Sequence, residues 1–190
     1  MAIARLRQPK EVVGHRLLFE PVQMGDAEFI LSLRLDPAKN RYLSSTSPDV
    51  EAQRRWIASL EDDDSQVYFL IRTLDREPVG TVRLYDVRGS SFCWGSWILS
   101  DGAPRSSAVE SSVMLYAFGL ECDFTSAHFD VRKANEKVWQ YHERWGARRV
   151  GETELDYLYV IDEAAIRAGL DHYAARVPDG VHVRWPAAQT

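Results

Sequence analysis

Between Val67 and Leu99, three runs rich in β-branched and aromatic residues follow one another. Only Asp75-Arg76-Glu77-Pro78 and Arg88-Gly89-Ser90 separate them. Runs of this kind, bounded by turn-forming residues, read as strands joined by hairpins. Past Leu99 the period changes: Val109, Val113, Tyr116, Ala117 and Leu120 fall on one helical stripe over Pro104 to Leu120. Pro104 suits the first turn of that helix, where a missing N–H is not needed. An antiparallel meander that feeds a helix confines the chain to a mixed sheet with helices packed on it.

The flanks extend this pattern. Leu17 to Pro21 predicts a short strand, and Asp26 an N-cap for a helix through Phe29, Ile30 and Leu33. That helix ends before Asp36-Pro37, because the residue ahead of a proline avoids helical geometry. Ser47-Pro48-Asp49 opens a second helix over Glu51 to Leu60. His128 to Val131 reads as a strand, Asn135 to Trp145 as a helix stopped by Gly146, and Arg149 to Val160 as a single strand. A last helix, Asp162 to Arg176, carries Ile166, Leu170, Tyr173 and Val177 on one stripe, to be buried against the domain or a second subunit. The expectation is an α+β (α/β mixed) fold with a central, mostly antiparallel sheet flanked by helices. With no repeat or linker, residues 1–190 read as one domain, core about 17–160 and C-terminal extension 161–190.

Composition narrows the function classes. A chain of 190 residues, 45% apolar and 27% charged, has a globular make-up. At this size roughly 70% of the unfolded surface can be buried without a metal or disulfide staple. The formal net charge is −5 and the basic residues are scattered, so no nucleic-acid partner is expected. Glu61 to Asp64 is the only charge run and reads as a solvated loop. Cys93 and Cys122 are too few and too far apart for a disulfide framework or a zinc site, and no metal is expected. Neither a signal-peptide core nor a membrane span is visible, which makes a reducing cytoplasm the default location and leaves no membrane partner.

Three stretches resemble the GNAT superfamily of acyl-CoA N-acyltransferases. The first is Asn135-Glu-Lys-Val138-Trp-Gln-Tyr141-His142-Glu-Arg-Trp-Gly146, similar to the family's helix that opens on Asn and closes on Gly. The second is Cys93 to Leu99, similar to the family's fourth strand. The third is Ala103 to Glu110 leading into Ser111 to Phe118, at the place of the pyrophosphate loop and its helix. The resemblance covers about Leu17 to Val160. It implies an acetyl-CoA donor in the gap between two splayed strands, and direct attack of a neutral amine on the thioester. It implies cofactor contacts from Trp97, Ile98 and Leu99 on the strand, from Arg105, Ser106, Ser107 and Ala108 at the loop, and from Asn135. The thiolate would be protonated by His142 or Tyr141, where many relatives carry Tyr.

The loop departs from the family's glycine-rich pattern. Aligning Glu110 with the family's common helix glutamate puts Pro104 and Ser106 at the glycine positions. Proline removes a donor and both add a Cβ, while Arg105, Ser106 and Ser107 offer charge and hydroxyls in compensation.

On the acceptor side, Leu33 to Asp36, Tyr42 to Ser47 and Glu51 to Ile57 resemble the branch that acylates sugar amines, often nucleotide-linked. Trp56, Tyr85 and Trp94 are then expected along a pocket with Trp97, and Arg34 or Arg83 on a phosphate. The alternatives are a peptide N-terminus held by the Glu61–Asp64 run, and a non-catalytic binding protein on the same scaffold. Glu20, Asp86 and Asp156 sit near predicted strand ends; between them and a water relay the general base stays open. A homodimer is a further expectation.

Overall fold

The computed structural model describes residues 4–61 and 63–187. Among the described residues, nine strands form one sheet in the order β7-β8-β6-β5-β4-β3-β2-β1-β9. They are β1 (Glu11–Val13), β2 (Leu17–Pro21), β3 (Val67–Thr73), β4 (Pro78–Arg88), β5 (Ser91–Leu99), β6 (Ser126–Arg132), β7 (Arg148–Glu152), β8 (Asp156–Asp162) and β9 (His182–Arg184). The helices are α1 (Ala27–Leu35), α2 (Val50–Ala58), α3 (Ser107–Glu121), α4 (Glu136–Arg144) and α5 (Glu163–Tyr173). Every pairing is antiparallel except β5 with β6, joined by the α3 crossover.

The period-2 alternation of β3 sorts the helices between the two faces of the sheet. Val67, Phe69 and Ile71 join the main core with Phe118 and Met114 of α3, whereas Tyr68 and Leu70 meet Ile30 of α1 and Ile57 of α2. The predicted hairpins form at the predicted turns, with Arg76 and Gly89 in the left-handed region (φ 65° and 60°). Asp49 caps α2 by accepting from the Ala52 N–H at 3.0 Å. Gly146, at φ 92°, ends α4 as expected, since only glycine takes this conformation freely.

Two expectations change. Asp26 does not cap α1; its carboxylate closes a 3-10 turn through the Gln23 N–H (2.9 Å) and receives Arg72. Arg149 to Val160 is two strands, because the Thr153 hydroxyl accepts the N–H groups of Leu155 and Asp156 and turns the chain between them. The three-residue strands β1 and β9 were too short for a periodic signal. The stripe of α5 is buried within the chain, with Ile166 in the main core and Gly169 so close to Trp145 that a Cβ would meet the ring at 2.5 Å. That burial removes the reason for a dimer drawn from this helix. Asp62 of the acidic run lies outside the described residues, whereas Asp63 accepts the Ser65 N–H within its own loop.

Glu110 locks the crossover helix to the first hairpin. Fully buried on α3, its Oε1 accepts the N–H groups of His15, Arg16 and Leu17 at 2.8, 2.6 and 2.9 Å. Removing the carboxylate leaves these donors without their acceptor, and each such loss costs about 1–3 kcal/mol. Glu110→Ala should therefore lower the unfolding free energy by about 3 kcal/mol or more in urea titration, a loss well beyond that of an ordinary surface substitution.

Candidate active site

β5 and β6 pair only over Ser91–Cys93 and Ser126–His128. Beyond that they part, and from Trp94 to Leu99 β5 is bonded only to β4. Half of the backbone N–H and C=O groups of this stretch therefore face a gap. The strand is also bulged there: Thr81 pairs with Ile98 and Arg83 with Gly95, so Ser96 and Trp97 have no register partner. Ser96 takes φ 49°, and the buried Thr81 hydroxyl donates to its carbonyl at 2.8 Å, holding the bulge.

A cavity of about 350 Å³ opens on this gap. It lies between the bulge, Phe129 to Arg132 of β6, Asn135, Val138 and His142 at α4, and Arg34 with Tyr42 to Ser44 at the front. Tyr42 donates to the Ala134 carbonyl at 3.0 Å, bridging the front loop to the start of α4. A second cavity of about 290 Å³ shares Arg34, Ser44 and Ser96 with the first and runs on to Gln53, Trp56, Tyr68 and Arg83.

At one end of the gap stands the N-terminus of the 15-residue helix α3. The N–H groups of Arg105 and Ser106 have no hydrogen-bond partner among the described residues, Arg105 is exposed, and the Ser107 hydroxyl is buried without a partner. Pro104 accepts the Ser107 N–H at 2.9 Å, so proline shapes the turn while the donors come from its neighbours. Unpaired N–H groups at a helix start favour an anion.

Trp97 reaches both cavity and helix, its Nε1 donating to the Ser111 hydroxyl at 3.1 Å. Ile98 is buried and Leu99 packs on the core, leaving backbone groups as what these two can offer a ligand. Asn135 is half-buried and its side chain makes no capping bond to α4; the amide is left free at the cavity wall. Trp94 lines the cavity yet is a core residue, 5% exposed and edge-on to Trp97, Tyr116, Phe129 and His142. Tyr85 stands over Gly95, whose missing side chain makes room for the phenol. Burial raises the Tyr85 pKa, so its hydroxyl stays protonated.

The two expected thiolate acids fare differently. The Tyr141 hydroxyl bonds Ser112 Oγ at 2.9 Å and the Ala108 carbonyl at 3.2 Å, bracing α4 against α3 away from the cavity lining. His142 does reach the cavity, but it is buried among Phe129, Trp94 and Trp97, with Nδ1 lacking any partner. Burial drives its pKa down to about 3. The ring is therefore neutral at physiological pH and cannot serve as an imidazolium acid.

None of the three carboxylates near predicted strand ends lines either cavity. Glu20 pairs with Arg72 and Arg76, Asp86 with Arg88 and His128, and Asp156 with Arg132. Glu61, Asp63 and Asp64 lie by Arg5 and Arg7, outside the linings of both cavities. The sequence reading missed the Ser96 bulge, Thr81 beneath it, and Asp130 on the cavity wall. Asp130 is a polar position in the regular alternation of β6, with Ala127, Phe129 and Val131 turned inward, and that alternation was the available signal.

A family model for the acetyltransferase (GNAT) domain matches residues 16–148. The chain belongs to the GNAT family. It is thus an acyl-CoA-dependent N-acyltransferase, and the family's donor is acetyl-CoA. Apo FdhC, a nucleotide-linked sugar GNAT, is 33% identical, with a TM-score of 0.77 over 90% of this chain and 96% of that one. The spermidine N-acetyltransferase from Vibrio cholerae in complex with CoA and spermine shares the fold at 14% identity, with a TM-score of 0.72 over 80% of this chain and 98% of that one. Among curated proteins, none matches. No helix among the described residues is long and apolar enough to cross a membrane.

The state of His142 gives a pH prediction. In the unfolded chain its pKa returns to about 6.5, so below that value the unfolded state binds a proton that the folded state refuses down to about 3. Its contribution costs nothing above about pH 6.5 and erodes stability as the pH falls, by up to about 1.4 kcal/mol per pH unit. His142→Phe should show a shallower loss of stability than the wild type between about pH 6 and 4, read as Tm against pH; parallel curves would contradict a neutral buried ring.

Proposed function

We infer that this GNAT enzyme transfers an acetyl group from acetyl-CoA to the primary amine of a nucleoside-diphosphate-linked amino sugar. The observation that carries this reading is the parted β5–β6 pair with its bulge at Ser96, continuous with an arginine-bearing acceptor cavity.

The residues present fit an acyl-CoA. The free N–H groups of Arg105 and Ser106, the orphaned Ser107 hydroxyl and the exposed Arg105 guanidinium suit a pyrophosphate at α3. The unpaired edge of Trp97 to Leu99 and the Asn135 amide suit a pantetheine amide chain. Bound acetyl-CoA supplies a thioester whose acyl carbon an amine can attack. The break in the ladder at Ser96–Trp97 leaves backbone donor capacity beside that carbon, and Trp94, Phe129 and His142 keep the spot dry. With its ring neutral, His142 offers shape and an N–H rather than a proton to lose; Tyr141 contributes by fixing α4.

Charge supports this acceptor class. Arg34 and Arg83 line the acceptor cavity, and neither forms an ion pair with a carboxylate among the described residues. Arg34 is aimed by hydrogen bonds to Thr46 Oγ1 (2.7 Å) and Ser44 Oγ (3.1 Å). Arg83 lies over Tyr85 and Trp56, 4.6 and 5.4 Å from their ring centroids, and reaches Asp63 only through Gln66. Two guanidiniums without an ion-paired carboxylate among the described residues favour a diphosphate over a polyamine. Trp56, exposed and edge-on to Tyr68, offers a face to a base or sugar. The sugar-nucleotide acceptor of FdhC, at 33% identity, agrees with this charge pattern.

Release of the CoA thiol, followed with a thiol reagent, tests the reading on three acceptors: a nucleoside-diphosphate-linked amino sugar, the free amino sugar and spermidine. The linked sugar should exceed the free one in kcat/KM by about ten-fold or more, a preference that Arg34→Ala and Arg83→Ala each erode. Preference for spermidine, or equal use of linked and free sugar, would overturn the acceptor class.

A further inference from the structure

A neutral amine is the attacking species, yet a sugar amine near neutral pH is largely an ammonium ion. A proton must therefore leave the substrate inside the cavity. Among the described residues lining the two joined cavities, Asp130 is the only carboxylate. It stands on β6 just past the last β5–β6 pair, where the strands have begun to part. Alternation along β6 turns Phe129 and Val131 into the core and sends Asp130 to the opposite face, where the acceptor cavity lies. Its side chain makes no hydrogen bond and no ion pair among the described residues, unlike Glu20, Asp86 and Asp156.

The groups facing Asp130 are few. Tyr85 from β4 and Cys93 from β5 are held protonated by burial and feel its charge. Arg132 on β6 is occupied by Asp156 at 2.8 Å, and His128 by Ser91 and Asp86. Arg34 is directed to Ser44 and Thr46, and His142 is neutral. None of these described groups is a carboxylate that lines the cavity.

We propose that Asp130 receives the proton of the acceptor ammonium, a role that rests on the amine acyl-transfer reading above. An ammonium proton passes to an Asp130 carboxylate oxygen, which is exposed and returns it to bulk water. The freed nitrogen lone pair forms the C–N bond to the acyl carbon, the C–S bond breaks, and its electron pair stays on sulfur. The second proton shed by the nitrogen balances the thiolate, giving amide, free CoA thiol and one proton released. Asp130 also explains how a cavity rich in arginine holds a cationic amine: among the described residues it is the one carboxylate at the reacting end.

The test compares wild type with Asp130→Asn and Asp130→Glu on the acceptor that the wild type uses. Asp130→Asn should lower kcat by about 10²-fold near pH 7, with acetyl-CoA affinity by calorimetry and Tm unchanged. The deficit should shrink toward about pH 9, where the amine loses its proton unaided. Asp130→Glu should recover part of the rate. An unchanged kcat, a loss confined to KM, or a loss of equal size at all pH values would overturn the proposal. A wild type inactive on every amine would instead overturn the acyl-transfer reading on which it rests.

Discussion

Hydrogen bonds between β5 and β6 stop after Cys93 and His128, and much of the molecule is arranged around that stop. An interior strand edge with unsatisfied N–H and C=O groups is costly unless something polar fills the opening. β5 is kept in place by its long antiparallel seam with β4, and β6 by a seven-pair ladder with β8. Each strand is thus anchored on its outer side, and the inner sides are free to separate. Thr81 on the Ser96 carbonyl and Tyr141 on the Ala108 carbonyl fix the two walls without bridging them. The opening is therefore set by how the sheet pairs on either side of it, with unpaired main-chain groups along its β5 wall.

Much of this was legible in the chain. The meander over Val67 to Leu99 and the stripe after Pro104 have strong periodicity, because one face of each must be buried. The Asn135–Gly146 helix could be placed because its ends carry stop signals, and Gly146 does take the left-handed conformation. What escaped depends on contacts distant in sequence. Ser96 adopts a positive φ because Thr81, fifteen residues earlier, secures its carbonyl. Nothing local marks a serine for that conformation. His142 and Tyr141 are neighbours with similar sequence credentials. Only packing shows that one ring is sealed among aromatics while the other leans on α3. Asp130 looks like any solvent-facing position of an alternating strand, and its value comes from its being the one carboxylate lining the cavity among the described residues.

On the resemblance to the family's loop, Pro104 and Ser106 stand where glycines are usual, which would change how an anion is held there. The loop retains unpaired N–H groups at Arg105 and Ser106 and adds a buried hydroxyl at Ser107. A fixed φ at Pro104 also reduces the freedom the loop loses on folding. The substitution reads as a stiffer cradle with fewer main-chain donors and more side-chain ones.

The sheet's outer strands bear on how copies of this molecule meet. β9 is only three residues long and is followed shortly by Pro186, while β7 carries Arg148 and Arg149 and a register slip before Gly151. Short, charged and irregular borders are poor templates for a strand from another chain. Cross-β stacking and runaway sheet extension are thereby discouraged at both ends of a nine-stranded surface. Assembly into higher order, where it occurs, is left to helical faces and loops, which is compatible with keeping the cleft between β5 and β6 unobstructed.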